Sequence, residues 1–191
     1  MTPFITKTDI TADYQLMHKD LTDLINSVGW PEKQVINGRS YPPNQLSLKC
    51  RKNAVNPLMD AAGNLYDKEK QEFISKESDF SEWVDVVPEF TKNVILDLES
   101  RENIKFGRIR LMRLMSKTGL SVHKDFEHRY HYVYDTNPNA FFGERLNGEV
   151  TAQCYHIPND SHFYIVDTTR EHFVYNGGWE PRIHLVMNVI V

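Results

Sequence analysis

The chain has 191 residues, of which 40% are hydrophobic and 25% charged, and its formal net charge is −4. This length and composition predict one globular domain, residues 1–191, and the acidic balance argues against nucleic acid as the main partner. The two cysteines, Cys50 and Cys154, do not indicate a disulfide framework and fit a reducing cytoplasm. No apolar run approaches the length of a membrane span, and the first ten residues lack the pattern of a signal peptide. We therefore expect a cytoplasmic protein with no membrane partner.

The first half of the chain predicts helices and loops. Apolar side chains recur at helical spacing over residues 11–28, with Thr11 as a candidate cap and Gly29 placed to end the helix. Turn dipeptides are frequent after it, and the alternating stretch 45–49 reads as a strand. A second helix is predicted over 88–100.

The second half predicts a series of short strands separated by turns. The predicted strands are 106–115, 122–134, 140–143, 149–157, 162–167, 171–175 and 182–191. Thr118-Gly119 and Asn147-Gly148 are predicted turns. Many short strands of this kind indicate a sandwich or a barrel. The predicted fold class is mainly β, with a core in residues 101–191 flanked by a helical and loop part in residues 1–100.

His123 and Asp125 stand two residues apart at the start of the predicted strand 122–134. Residues so spaced on an extended strand point to the same face, so one metal ion can bind both. Composition alone gives about one such motif by chance, and the chain holds a second, His18 with Asp20. That pair falls on the predicted first helix, where residues two apart do not share a face, and we interpret it as a helix surface. For His123 and Asp125 a surface strand pair is the alternative.

A second pattern connects His172 to Arg182 through residues 176–178, Asn-Gly-Gly, which are typical of a hairpin loop. If this loop has three residues, Tyr175 faces Trp179, and His172 faces Arg182. Cross-strand partners share a face about 5 Å apart, so both side chains would project into one space. An inward arginine is costly unless it meets an anion. The alternative is an arginine that pairs with a carboxylate at the rim.

Together, His123, Asp125 and His172 match the two histidines and one carboxylate that bind Fe(II) in non-haem oxygenases. An inward Arg182 would hold the far carboxylate of 2-oxoglutarate through a bidentate fork. Residues 101–131 carry eight Lys or Arg against three Asp or Glu, which suits a doubly charged co-substrate. An ordinary basic rim is the other interpretation of this excess.

These residues lie in segments that resemble the Fe(II)- and 2-oxoglutarate-dependent dioxygenases. The resemblance is to the aspartyl/asparaginyl β-hydroxylase-like branch, including its short phage and bacterial members. The matching text is TGLSVHKDFEHRYHYVYDTNPNAFF at 118–142 and DTTREHFVYNGGWEPRIHLVMNV at 167–189. An H-x-D motif, a distal histidine and an arginine ten residues later are specific when they all coincide. Residues 1–100 carry no such motif and correspond to the variable part that shapes the substrate site.

The resemblance implies a double-stranded β-helix, a cupin-like jelly roll with the metal at its mouth. The implied iron ligands are His123, Asp125 and His172. Arg182 matches the anchor of the distal carboxylate of 2-oxoglutarate. Arg129 matches a basic R-x-H position that faces co-substrate or substrate in this branch, and His131 shares its face by alternation.

The resemblance also implies the reaction. Fe(II), 2-oxoglutarate and O2 would hydroxylate an unactivated C–H bond, with succinate and CO2 as co-products and ascorbate in support. The substrate would be a small-molecule amino acid, or an Asp, Asn or Pro residue of a peptide or protein. The founding β-hydroxylases use two histidines without the carboxylate. Asp125 departs from that pattern, predicts a full triad and argues against a halogenase.

Other functions remain compatible with the motifs. A cupin-like protein that binds a metal or ligand without redox turnover is the main alternative, and it would not need an inward Arg182. A phage structural module without activity and an isomerase on the same barrel are two more. His156, His162 and His184 lack a matching spacing, and we interpret them as structural histidines. The sequence carries no signal for an oligomeric state.

Overall fold

The computed structural model describes residues 2–36, 39–41, 43–67, 69–146 and 151–190. The first half of the chain forms β1 (Ile5–Thr11), α1 (Tyr14–Val28), β2 (Gln34–Ile36), β3 (Arg39–Tyr41), β4 (Gln45–Ser47), β5 (Lys49–Cys50), α2 (Pro57–Asp60), β6 (Tyr66–Asp67), β7 (Glu72–Phe73), a 3-10 turn (Glu77–Asp79), β8 (Glu82–Trp83) and α3 (Glu89–Glu102). The second half forms β9 (Phe106–Leu114), β10 (Thr118–His123), β11 (Arg129–Asp135), β12 (Ala140–Arg145), β13 (Ala152–Tyr155), β14 (His162–Val166), β15 (His172–Asn176) and β16 (Arg182–Val189). No helix in these ranges is both long and apolar enough to cross a membrane.

Strands β9 to β16 form a double-stranded β-helix. One sheet contains the neighbours β14-β11-β16-β9, which β1 extends beyond β14 and β4 beyond β9. The other sheet has the order β10-β15-β12-β13. Apart from the β12–β13 hairpin, the chain changes sheet at every connection from β9 to β16. This alternation is that of a jelly roll and confirms the predicted fold class.

The chain separates into two compact units. One contains the residues up to Tyr14 together with Met112–Val186, and the other contains Gln15–Leu111 and Met187–Ile190. The first unit has a core of buried apolar side chains: Phe4, Val133, Phe142, Ile157, Tyr164, Val166 and Val174. The division into a flanking part, residues 1–100, and a core, residues 101–191, stays a prediction.

The two predicted helices are present in the second unit. α1 buries Met17, Leu21 and Leu24, which lie on one helical face. It ends at Gly29, whose φ of 69° is the left-handed conformation that glycine adopts without strain. α3 follows Pro88 and is capped by Asn103, whose backbone has the left-handed conformation.

The second H-x-D motif lies on α1 as predicted, but its side chains are half-buried and have a structural role instead of forming a helix surface. Asp20 accepts hydrogen bonds from the backbone N–H and the hydroxyl of Thr91 in the first turn of α3, at 3.1 and 3.0 Å. Nδ1 of His18 lies 3.4 Å from the hydroxyl of Thr22, one turn further along α1. The two side chains therefore serve different neighbours rather than one ion.

The predicted strand 122–134 is wrong, because β10 ends at His123 and β11 begins at Arg129. Residues between them bond to the β14–β15 connection instead of to a sheet. The backbone N–H of Asp125 donates to the carbonyl of Thr168 at 2.8 Å. The hydroxyl of Thr168 donates in turn to the carbonyl of Glu127 at 2.6 Å. These two bonds fix the loop that carries Asp125.

Two predicted turns have different outcomes. Thr118-Gly119 opens β10 instead of forming a turn, and the reversal lies just before it, where Lys117 has a φ of 56°. Asn147-Gly148 and the start of the predicted strand 149–157 lie outside the described residues.

The predicted hairpin of His172 and Arg182 is also wrong. β15 lies between β10 and β12, whereas β16 lies between β11 and β9 in the other sheet. Asn176 ends β15, and its buried amide donates to the carbonyls of Leu114 and Glu180 at 3.1 and 2.8 Å. These bonds tie the end of β15 to the end of β9 and to the connection that leads to β16. His172 and Arg182 are therefore not cross-strand partners.

Candidate metal centre

Two histidines and one aspartate meet at the end of the β10–β15 pair. His123 ends β10 and pairs in register with His172, the first residue of β15. Asp125 lies two residues beyond His123 in the loop to β11. One ligand atom from each of the three side chains lies within 4.8 Å of the others, and the described part of the chain holds no second group of this kind. The structure thus brings the three predicted ligands together.

Hydrogen bonds fix which nitrogen of each imidazole is free. Nδ1 of His123 bonds to the carbonyl of Ser121 at 2.7 Å, and Nδ1 of His172 bonds to the carbonyl of Arg170 at 2.9 Å. A carbonyl oxygen only accepts, so Nδ1 carries the hydrogen in both rings, and Nε2 presents a lone pair. This is the arrangement of metal-binding histidines. Burial lowers the pKa of His172 and favours the neutral form that binds a metal.

The carboxylate of Asp125 has one satisfied oxygen and one unsatisfied oxygen. Oδ1 lies 2.7 Å from Nη2 of Arg129 in an ion pair. Oδ2 lies 3.6 Å from Nε2 of His172, and it is buried with no hydrogen-bond partner in the described ranges. A buried carboxylate oxygen is costly without a partner, and a cation shared with the two histidines would supply one. The donor set therefore fits a divalent metal ion.

A buried network supports the backbone behind His172. Glu144 lies opposite His172 in the β12–β15 register. Its Oε1 accepts a 2.7 Å hydrogen bond from Nη1 of Arg170, and its Oε2 accepts one of 2.9 Å from the hydroxyl of Tyr155. Nε of Arg170 also donates to Asp167 at 2.8 Å. Because the carbonyl of Arg170 receives Nδ1–H of His172, this network sets the direction of that ring.

Arg182 occupies the interior of the first unit, where only 6% of its surface is exposed. Its guanidinium carbon lies 4.8 Å from the centre of the Phe142 ring, and its Nη2 donates to Nδ1 of His184 at 2.9 Å. No carboxylate among the described residues pairs with it. Burial lowers the pKa of Arg182 to about 9, so the side chain is still a cation at neutral pH. A buried cation destabilises the fold unless an anion pairs with it, so this side chain indicates a site for an anion.

The register of β12 and β15 relates this cation to the three candidate ligands. Glu144 pairs with His172, and Phe142 pairs with Val174, two residues further along both strands. Two residues of a strand span roughly 7 Å. Phe142 therefore lies about that far along the inner face from His172, and the guanidinium of Arg182, on a strand of the other sheet, is stacked on its ring.

The other residues predicted to face the co-substrate are His131 and Arg129. His131 is buried, and its ring lies 5.2 Å from that of Phe142 and 5.6 Å from that of His184. Arg129 lies against Asp125, so its predicted contact with the co-substrate stays a prediction. Trp179, which the hairpin prediction placed opposite Tyr175, is 81% exposed.

Sequence reasoning missed Glu144, Arg170 and His184. The sequence predicts a structural histidine at position 184, yet His184 bonds directly to Arg182. The signal available was position, because residues 182 and 184 of one strand share a face. His156 and His162 do bond to backbone carbonyls, of Ala140 at 2.8 Å and Asp160 at 2.9 Å, as structural histidines would.

Comparison with known protein families matches residues 59–191 to the aspartyl/asparaginyl β-hydroxylases. The chain belongs to the aspartyl/asparaginyl β-hydroxylase family. The match covers most of the chain and includes all three candidate ligands and Arg182, which confirms the resemblance found in residues 118–142 and 167–189. It also reaches back to residue 59, into the part of this β-hydroxylase family member that showed no motif. A comparison with curated proteins gave no match.

Comparison with solved structures gave several matches to this β-hydroxylase family member. AviO1 from Streptomyces viridochromogenes Tue57 has a TM-score of 0.51 and 10% identity, over 98% of this chain and 89% of AviO1. An oxidoreductase of the 2OG-Fe(II) oxygenase family from Burkholderia pseudomallei has a TM-score of 0.46 and 12% identity, over 57% of this chain and 61% of its own. A predicted oxalate decarboxylase from Thermotoga maritima has a TM-score of 0.34 and 18% identity, over 49% and 73%.

Proposed function

We propose that this protein is an Fe(II)- and 2-oxoglutarate-dependent dioxygenase that hydroxylates an unactivated C–H bond. The observation that carries the proposal is the meeting of His123, Asp125 and His172 within 4.8 Å. Two histidines and one carboxylate on one side of an iron leave coordination positions open for a co-substrate and O2. Membership of a hydroxylase family supports the same reaction class.

The three ligands would hold the metal in a prepared geometry. Bonds from Nδ1 to backbone carbonyls keep both imidazoles oriented, so that Nε2 needs no rearrangement to bind. Arg129 holds one oxygen of Asp125 and leaves the other for the ion. When bound, Fe(II) with 2-oxoglutarate and O2 supplies an oxidative decarboxylation that gives succinate and CO2 and delivers one oxygen atom to the substrate.

Arg182 would bind the distal carboxylate of 2-oxoglutarate. Its guanidinium stacks on Phe142, whose position lies about 7 Å from that of His172 along the strands by the strand rise, and this placement suits a five-carbon dicarboxylate held at both ends. Phe142 stacks against the guanidinium and, as a buried aromatic ring, excludes water from the pocket. His131 lies beside Phe142 and completes the buried wall.

The substrate that we propose is an amino acid, free or within a peptide or protein, of the Asp, Asn or Pro type. The name of the family supports the first two. Ascorbate, which we expect to support turnover, is added as a reductant in the assay and omitted in a parallel sample.

The test begins with purified protein under anaerobic conditions. We expect the Fe(II)-loaded protein to bind 2-oxoglutarate and, once O2 is admitted, to form succinate, with more succinate when free amino acids or peptides containing the substrate are present. Asp125→Ala and His172→Ala should lose iron affinity. His18→Ala, which removes the histidine of the other H-x-D motif, is the matched control and should retain it.

Two outcomes would contradict the proposal. If Fe(II)-loaded protein does not bind 2-oxoglutarate, the dioxygenase assignment fails. If it binds metal and 2-oxoglutarate but forms no succinate with any substrate class, the protein is a metal and ligand binder without redox turnover, which is the cupin-like alternative.

A further inference from the structure

His184 carries an imidazole N–H for which the described residues offer no acceptor. Nη2 of Arg182 lies 2.9 Å from Nδ1 of His184. A guanidinium only donates, so Nδ1 of His184 accepts and carries no hydrogen. The hydrogen of the neutral ring is therefore on Nε2. That nitrogen is buried and has no hydrogen-bond partner in the described part of the chain.

The ring stays neutral in this environment. Burial, followed by the nearby charge of Arg182, holds the pKa of His184 well below its ordinary value. A protonated ring would also lose the lone pair that receives Nη2–H of Arg182. The side chain is thus a fixed acceptor at Nδ1 and a fixed donor at Nε2.

The described groups near His184 do not accept this hydrogen. His156 is close enough to lower the pKa of His184, but it makes no hydrogen bond to Nε2 of that ring. Phe142, 6.5 Å away between ring centres, has no conventional acceptor, and Arg182 has only donors. Nδ1 of His131 lies 3.4 Å from Nδ1 of His184, which is the acceptor side of the ring. Buried donors in native proteins are nearly always paired, so an unpaired one beside a buried cation indicates an acceptor that arrives with a ligand.

Arg182 and His184 present their donors to one space. They are two residues apart on β16, and alternate residues of a strand point to the same face. The groups in that space are the remaining N–H groups of the guanidinium and Nε2–H of the imidazole. A carboxylate has two oxygens and about four lone-pair positions, so it can accept from both side chains at once.

We propose that His184 is a specificity-determining residue that donates from Nε2 to the distal carboxylate of the co-substrate, while its Nδ1 holds the guanidinium of Arg182 in position. This inference rests on the function proposed above. It predicts that the protein selects 2-oxo acids with a second carboxylate, and that part of this selectivity comes from His184 in addition to Arg182.

The experiment compares two ligands that differ only in the distal group. Anaerobic calorimetric titrations of the Fe(II)-loaded protein use 2-oxoglutarate and 2-oxopentanoate, which has the same carbon chain without the second carboxylate. His184→Phe keeps a ring and removes both nitrogens. His184→Gln keeps an amide oxygen that can accept from Arg182 and an amide N–H that can donate. His18→Phe, on α1, is the control for the same substitution elsewhere.

We expect His184→Phe to weaken 2-oxoglutarate binding roughly 10- to 100-fold, which is the effect of losing a hydrogen bond to a charged group. Its affinity for 2-oxopentanoate should change little, so the ratio of the two dissociation constants falls by a similar factor. His184→Gln should recover most of the 2-oxoglutarate affinity, and His18→Phe should match the wild type. Iron affinity, measured in parallel, should be the same in all four proteins.

The proposal on His184 is overturned if His184→Phe binds 2-oxoglutarate as the wild type does. It is also overturned if both acids lose affinity equally, because the ring then contributes only packing. If circular dichroism shows that His184→Phe does not fold, His184→Met, which is unbranched and apolar, replaces it. The same two titrations then decide the outcome by the same two criteria. Failure of the proposed function looks different, because the wild-type protein with iron would then bind neither acid, or would bind 2-oxoglutarate and form no succinate once O2 is admitted.

Discussion

Replacing Glu144 tests whether the network behind His172 controls the metal centre. Glu144 is 3% exposed and accepts from both Arg170 and Tyr155, at 2.7 and 2.9 Å. In Glu144→Gln, the amide keeps one acceptor oxygen, so one of these two bonds is lost, and an N–H2 group faces a donor. Arg170 retains Asp167 as a partner. We therefore expect a loss of about 1.5–3 kcal/mol in unfolding free energy, the range for a hydrogen bond to a charged group.

The same change should weaken metal binding. Residues that orient a metal ligand from behind typically contribute 10–100-fold to affinity. Because the Arg170 carbonyl holds Nδ1 of His172, a shift of Arg170 turns the ring away from the ion. We expect Fe(II) or Co(II) to bind Glu144→Gln about 10-fold or more weakly, with an altered Co(II) visible spectrum. Glu180→Gln, the same substitution at an exposed side chain of the same unit, is the control.

The assay separates the two effects by temperature. Metal titrations are performed well below the midpoint of thermal unfolding, where the variant is fully folded by circular dichroism. If Glu144→Gln is less stable but binds Co(II) with unchanged affinity and spectrum, the network only stabilises the fold. The reasoning that connects Glu144 to the orientation of His172 would then be refuted.

Three further predictions concern separate parts of the molecule. Arg182→Met should weaken 2-oxoglutarate binding about 100-fold or more at unchanged iron affinity, since a buried charge pair is lost; calorimetry measures both. Asn176→Ala should lower the unfolding free energy by about 2–4 kcal/mol in urea denaturation, because the carbonyls of Leu114 and Glu180 lose the buried amide that donates to them. Burial alone would raise the pKa of Glu77, but the buried ion pair with Arg108 at 2.6 Å lowers it on balance. A carboxylate with a lowered pKa stabilises the fold above its ordinary pKa of 4.5 and loses that contribution as pH falls, so Glu77→Gln should show a weaker loss of stability below pH 4.5 in acid titrations.

Local patterns in the sequence predicted much of the fold. Spacing of apolar residues and a terminal glycine located α1, and the residue Pro88 located α3, since these signals depend only on neighbours along the chain. The run rich in His, Tyr and Val at 122–134 concealed a break between strands. That break is imposed by bonds to Thr168, about 40 residues away, and no local pattern reports such a contact.

The sequence motifs predicted which residues form the candidate site, but they did not predict how the strands arrange them. His123, Asp125 and His172, which were grouped because their spacing resembles that of a family, do lie within 4.8 Å of one another, and their role as ligands stays a prediction. The hairpin argument placed Arg182 on the inner face by a route that the structure contradicts, since the crossing at Asn176 sends β16 to the other sheet. Glu144 was invisible to sequence reasoning because only the pairing of β12 with β15 brings it to His172.

The two histidines of the candidate site belong to strands with different support. His172 is on β15, which is hydrogen-bonded to a neighbour on each side, whereas His123 ends β10, the last strand of its sheet, where residues 118–122 are all exposed. An edge strand frays more readily than an inner one. Binding of a metal would therefore tie an edge strand of the sheet to an inner one, and the backbone amides of β10 should exchange hydrogen more slowly once the ion is present. Release of the ion would begin at His123, so the rate at which β10 opens would set how long the protein keeps its metal.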